Sequence, residues 1–227
     1  MILCPPTHRH AGVSRAYGDK RSPGESVRGP DRPFGIYVHV PFCRTRCGYC
    51  DFNTYTAAEL GYAPGASRTS WADGAIAELR LARRTLCDDD RPVHTVFFGG
   101  GTPTLLPPED LIRVLRAIDT EFGLAAGAEV TTESNPESVD AAVVAKLREG
   151  GFTRISFGMQ SAQPHVLAVL DRQHTPGRPA AAVAEAWAAG FAHVNLDLIY
   201  GTPGESMADW QASLDAAIAA EPDHVSA

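Results

Sequence analysis

Apolar residues along this chain follow two alternating patterns. Short runs rich in β-branched and aromatic side chains predict strands over residues 35–40, 93–98, 129–133, 154–157 and 193–200, and residues 223–226 open a sixth. Longer Ala- and Leu-rich stretches between them predict helices over 69–86, 108–122, 138–149, 176–189 and 206–219. The helix ends are marked by their own chemistry. Pro107-Pro108-Glu109-Asp110 supplies a rigid entry with acids in the first turn, Ser138 is an N-cap candidate, and Gly123 and Gly150 stand where helices stop. Strands separated by single helices need right-handed crossovers, which make a parallel sheet, either open and doubly wound or curved into a barrel. The fold class expected is therefore α/β.

Composition adds little to that picture except at the N-terminus. With 44% apolar and 21% charged residues in 227, the chain can bury a core, and collagenous, mucin-like and wholly disordered classes are excluded. Its most apolar stretch, around residues 180–200, is interrupted by Glu185, His193, Asn195 and Asp197, so no segment reads as a membrane span. Residues 1–33 differ from the rest: Arg9, Arg15, Lys20, Arg21, Arg28 and Arg32 outnumber Asp19, Glu25 and Asp31, whereas the whole chain carries −7. Prolines and glycines punctuate this segment and apolar periodicity is missing, so it reads as a disordered basic tail ahead of a core domain at 34–227. Met1-Ile2-Leu3-Cys4 runs into Pro5-Pro6 without a signal-peptide core, which makes the cytoplasm the expected location. The modest overall acidity argues against nucleic acid as the main partner.

Candidate chemistry gathers where the strands end, the edge at which parallel α/β proteins place their ligands. Three of the five cysteines lie in Cys43-Arg44-Thr45-Arg46-Cys47-Gly48-Tyr49-Cys50, a distribution unlike a disulfide scaffold. Three thiolates on one short loop can hold three irons of a cubane cluster and leave the fourth iron open. A zinc site completed by Asp51 is the alternative reading of the same residues. Cys4 and Cys87 read as incidental thiols. Gly99-Gly100-Gly101-Thr102 lets the backbone approach a ligand and offers amides or carbonyls to it. Glu133 is either a ligand-accepting carboxylate or a loop brace. Asp197, inside an otherwise apolar strand, calls for a polar ligand or a cation, because an unpaired buried carboxylate is costly. Met159 reads as packing, and His94, His165, His174 and His193 as surface or structural side chains.

Taken together, Gly35-Ile36-Tyr37-Val38-His39-Val40-Pro41-Phe42-Cys43, the cysteine triplet, Gly99-Gly100-Gly101-Thr102-Pro103-Thr104, Glu133-Ser134-Asn135-Pro136 and Asp197-Leu198-Ile199-Tyr200-Gly201 resemble one family. It is the radical S-adenosylmethionine (SAM) proteins of the oxygen-independent coproporphyrinogen III oxidase group. The resemblance implies a partial (β/α)6 barrel, a [4Fe-4S] cluster on Cys43, Cys47 and Cys50, and SAM beside it. It assigns Tyr37, Tyr49, Gly100, Gly101, Thr102, Glu133, Gln160, Arg172 and Asp197 to SAM contacts. Asp51-Phe52 follows the third cysteine, where the dehydrogenases of the group carry a fourth cysteine two positions on, and this is similar to the heme chaperone branch. The implied function is to bind heme as cargo and pass it to acceptor proteins, with an electron donor serving the cluster and at most transient membrane contact. Two alternatives stand beside it: a coproporphyrinogen III dehydrogenase acting on a porphyrinogen, and a zinc-stabilised interaction module. Residues 223–227 resemble the start of the family's sixth strand. A C-terminal helical domain and a His-Asn-x-x-Tyr segment associated with heme are therefore expected beyond them, and no heme ligand is assigned to this chain.

Overall fold

The computed structural model describes residues 32–60, 67–86, 89–172 and 174–227; most of the expected tail, Cys4 and Cys87 lie outside these. The first strand, β1 (Phe34–Val40), leads into a two-residue pair, β2 (Phe42–Cys43) and β3 (Tyr55–Thr56), and then α1 (Ala57–Leu60) and α2 (Arg68–Thr85). Next come β4 (Val93–Gly100), α3 (Pro108–Phe122), β5 (Leu124–Ser134), α4 (Ala141–Glu149) and β6 (Arg154–Gln160). The chain continues through α5 (Pro164–Val169), α6 (Arg178–Ala188), β7 (His193–Leu198), α7 (Met207–Ala219) and β8 (His224–Ser226). Six strands pair in parallel in the order β1-β4-β5-β6-β7-β8, which is the order of the sequence.

Helices settle which parallel architecture this is. α2 packs on α3, α3 on α4, α4 on α6 and α6 on α7, so the helices form one row in the same order as the strands. A doubly wound sheet would divide them between two faces; here successive crossovers advance in one direction, as in a barrel left open between β1 and β8.

Parallel register gives the sheet two unlike faces. In-register residues share a side, and one set of rows is Val38-Phe98-Thr132-Ile155-Val194 followed by Ser134-Phe157-Leu196-Val225. Phe98, Ile155, Phe157, Val194 and Leu196 in these rows are fully buried and face the helices. α3 meets them with Leu111, Val114, Leu115 and Ile118, a helical spacing that places all four on one buried stripe. The intervening rows are polar: Glu133-Ser156-Asn195-His224, then Gly158-Asp197-Ser226. A strand alternates its side chains, so a sequence that puts apolar residues on one parity and Ser, Asn, Asp and Glu on the other builds a core and a polar lumen from the same six strands.

Several boundaries differ from the sequence expectation for local reasons. α4 is capped by Asp140, whose carboxylate accepts from the Val143 amide at 2.9 Å, and not by Ser138. Ser138 ends a preceding 3-10 turn, where its hydroxyl donates to the Asn135 carbonyl at 2.7 Å. α6 starts at Arg178 because Gly177 adopts a left-handed φ of 78° that cannot continue a helix. β5 begins at Leu124, and the ladder jumps from Val93–Leu124 to Thr95–Glu129, so the added residues bulge around Gly127. β4 and β6 run on to Gly100 and Gln160, since ladder pairing rather than β-propensity carries those ends. Residues 199 and 200, expected in a strand, follow the end of β7. β2, β3, α1 and α5 are too short to leave a periodic signal. Ile218 on α7 and Val225 on β8 are exposed.

Candidate functional site

A cavity of about 340 Å³ opens at the carboxyl edge of the strands. The cysteine loop forms one side. β2 and β3 clamp its two ends, with the Tyr55 amide donating to the Pro41 carbonyl at 2.7 Å, so the loop leaves the sheet and returns to it at one place. From it, Cys43, Cys47, Cys50 and Tyr49 line the cavity. Gly100, Gly101 and Thr102 enter from the end of β4, Glu133 from β5, Gln160 from β6, Asp197 from β7, and Arg172 from the turn after α5. Tyr37 is not among the lining residues; it is largely exposed, stacks on Phe97 with ring centroids 6.2 Å apart, and shares a 3.0 Å hydrogen bond with His39 Nδ1. Partial burial, and then the nearby Glu133, raise its phenol pKa. Asp51 is exposed and does not line the cavity. Among the described residues no three His, Cys, Asp or Glu side chains are grouped so as to hold one metal ion.

The glycine run works differently from the sequence expectation. The Gly100 amide donates to Glu133 Oε2 at 3.0 Å, the Gly101 amide to the Val40 carbonyl at 2.8 Å, and the Thr102 amide to the Phe42 carbonyl at 2.7 Å. All three donors are spent inside the protein, which leaves the loop's carbonyls and its close approach as what it offers a ligand. Glycine is needed for that folding: a Cβ on Gly101 would stand 2.5 Å from the Phe42 carbonyl oxygen, and Gly100 has a φ of 112° against the His39 ring.

Glu133 and Asp197 divide the acidic chemistry between them. Burial pushes the Glu133 carboxyl up, the negative Asp197 adds to this, and the Gly100 amide opposes it. A carboxylate so placed gains from a cation brought beside it. Asp197 is anchored instead. Its Oδ2 accepts from the Ser156 hydroxyl at 2.8 Å, and its Oδ1 from Asn195 Nδ2 at 2.7 Å and the Ser226 hydroxyl at 3.1 Å. The partner that the sequence calls for is thus supplied by three protein donors from β6, β7 and β8, and the residue still borders the cavity. Ser156, Asn195 and Ser226 were not singled out from sequence. The signal available was their period-two placement with Gly158 and Asp197, a polar parity within strands otherwise apolar.

Arg172 joins the two sides. Its guanidinium donates to the Gly158 carbonyl at 2.7 Å and approaches Cys47 Sγ at 3.6 Å, while its buried Nε has no hydrogen-bond partner. Burial raises the Cys43 thiol pKa, the Thr54 hydroxyl lowers it, Cys50 and Cys47 raise it further, and Arg172 lowers it. A Cys43 thiol that resists ionising, with two further sulfurs on the same cavity wall, suits a positively charged iron centre, which favours the thiolate.

A family model described as the radical SAM superfamily matches residues 37–217. The chain is 58% identical over 198 residues to a protein of Mycobacterium tuberculosis named heme chaperone HemW, covering 87% of this chain and 50% of that one. It is 35% identical over 196 residues to the HemW of Escherichia coli, covering 86% and 50%. Among solved structures, coproporphyrinogen III oxidase (HemN) from Escherichia coli, titled a radical SAM enzyme, superposes with a TM-score of 0.73 at 28% identity, over 88% of this chain and 46% of that one. The chain spans about half the length of the curated relatives it matches. No helix among the described residues is long and apolar enough to cross a membrane.

Proposed function

The chain belongs to the radical SAM superfamily, and from that premise we propose that it carries the cofactor-binding part of a heme chaperone. The family's cofactors are a [4Fe-4S] cluster and SAM. In this reading Cys43, Cys47 and Cys50 hold the cluster, Glu133 and Asp197 receive the cationic end of SAM, and the spare Nε of Arg172 meets an acceptor on it. Gly100, Gly101, Thr102, Gln160 and Tyr49 complete the cavity, and Tyr37 acts from outside it through Glu133. When bound, the cluster supplies an electron and an open iron coordination position; the protein orients both groups and excludes water. The observation that carries the proposal is the convergence of three thiols, two carboxylates and one guanidinium from four separate segments on a single cavity.

Heme as cargo, heme-acceptor proteins, an electron donor and a cytoplasmic setting complete the reading. They are supported by the likeness to proteins named heme chaperones and by Phe52, which stands where the dehydrogenases of the group carry a cysteine. Anaerobic titration of the cluster-loaded protein with hemin, followed by mixing with an apo-hemoprotein, tests it. Stoichiometric binding and transfer are expected. Conversion of a porphyrinogen with SAM and a reductant, without stable heme binding, would assign the chain to the dehydrogenases instead.

A further inference from the structure

A second cavity, about 1100 Å³ against about 340 Å³, adjoins the first. Arg44, Thr45, Asn135, Glu137 and Arg172 line both, so the two are neighbours across a shared wall. The volume lies at the upper limit of small-molecule sites, roughly 300 to 1,000 Å³, and exceeds what a compact metabolite would fill. Its remaining surface is mostly apolar, with Met159, Leu167, Ala168, Pro176, Pro179 and Ala180. The charges are unevenly committed. Arg44 is exposed and makes no hydrogen bond or ion pair among the described residues, whereas Arg172 is held by the Gly158 carbonyl at 2.7 Å and turned to the cofactor side. Arg46 pairs with Glu59 at 3.4 Å. Of the two acids, Glu137 is engaged by the Thr175 amide at 2.7 Å and the Thr175 hydroxyl at 3.3 Å, and Asp171 faces solvent. His174 adds no charge at neutral pH, because burial and then Arg172 hold its pKa down to about 4.

An apolar floor with the free guanidinium of Arg44 on the side toward the cofactor cavity suits a large flat apolar molecule that carries a carboxylate. We propose that this second cavity seats the iron porphyrin, with its macrocycle on the apolar floor and a carboxylate toward Arg44. The proposal rests on the heme-chaperone reading and deepens it by giving the cargo a place next to the cluster.

The test uses the cluster-loaded chain and anaerobic hemin titration followed in the Soret band. Ala180→Trp adds an indole from an exposed position in the first turn of α6 that lines this cavity and not the other. It is expected to weaken hemin binding about tenfold or more, while iron, sulfide and SAM binding match the parent. Ala168→Trp, from α5, does the same independently, and hemin with both carboxylates esterified binds the parent more weakly. If the parent binds hemin and both tryptophan variants bind it equally well, the location is wrong and the chaperone reading stands. If the esterified hemin binds as tightly as the free acid, the carboxylate contact is wrong. If the parent binds no hemin at all, the chaperone reading falls and the seat with it.

Discussion

The two sides of the cofactor cavity are built in opposite ways. On the strand side both carboxylates are fixed before any ligand arrives: Glu133 is tied to the Gly100 amide, Asp197 to Ser156, Asn195 and Ser226, and both ride on strands whose other face is core. On the loop side the thiols hang from a segment pinned at its ends by β2 and β3 and inside by few bonds, such as Gly48 to Leu170 at 3.3 Å and Cys50 to Cys47 at 3.2 Å. Arg44, Thr45, Arg46, Gly48 and Tyr49 are exposed. The strand side is preorganised by the fold, whereas under the proposed ligand assignment the loop side takes its order from metal binding, so metal affinity and local folding are one free energy there.

The largest effect expected is on the loop. Cys47→Ala removes the sulfur that Arg172 approaches and one of three proposed ligands, and should abolish the cluster absorption at about 400 nm, while circular dichroism of the metal-free protein stays unchanged. Full iron and sulfide content in the variant would refute the ligand assignment. A comparable loss of helix signal would contradict the comparison, since it would mean the loop supports the fold.

How much of this contrast was legible in the sequence follows from the same physics. The cysteine spacing announces itself because three thiols in one short loop have few other uses. The strand and helix succession reads out because β4, α3 and β6 carry strong periodic patterns, and the Pro108 start and Gly123 stop of α3 stand where local chemistry put them. The choice of a barrel over a doubly wound sheet was closed to the hydrophobic pattern, because handed crossovers can advance or reverse with the same local pattern; only the motif resemblance pointed to the barrel. The partners of Asp197 were hidden for a similar reason: Ser156, Asn195 and Ser226 are far apart in the chain and meet only through register. The Gly100–Thr102 amides could not be seen to be spent, since backbone pairing leaves no mark on residue type.

A middle-sized effect tests the strand side through pH. Glu133 is raised above its unfolded value, so between the two values the folded state holds the extra proton and stability falls as pH rises. His174 is displaced the other way, to about 4, and its contribution is lost as pH falls from about 6.5 through that value. The two oppose each other in mildly acidic solution, so the difference between parent and Glu133→Gln isolates the carboxylate. In the cofactor-free protein the variant should gain in urea midpoint relative to the parent as pH rises above the unfolded carboxylate value, and the gap should close at lower pH. The same variant should bind SAM more weakly. A gap independent of pH would mean that Glu133 carries no charge penalty, and the strand side would be less strained toward a cation than argued above.

The smallest effect separates fold from site within three residues. Asp140 caps α4 on the exposed surface, and Asp140→Ala should cost about 1 kcal/mol, the ordinary value of a lost N-cap, read as a lower urea midpoint with SAM and cluster binding intact. Ser138, which sequence alone favoured for that cap, lines the cofactor cavity, and its hydroxyl contacts Thr104 Oγ1 at 2.6 Å. Ser138→Ala leaves Thr104 its second partner, the Ser134 hydroxyl at 3.1 Å, so stability should change less than in Asp140→Ala and any loss should appear in SAM binding. The opposite pattern, with Ser138→Ala costing stability and Asp140→Ala costing cofactor, would mean that the turn before α4 holds up the helix and that the preorganised side of the cavity begins only at the strand ends.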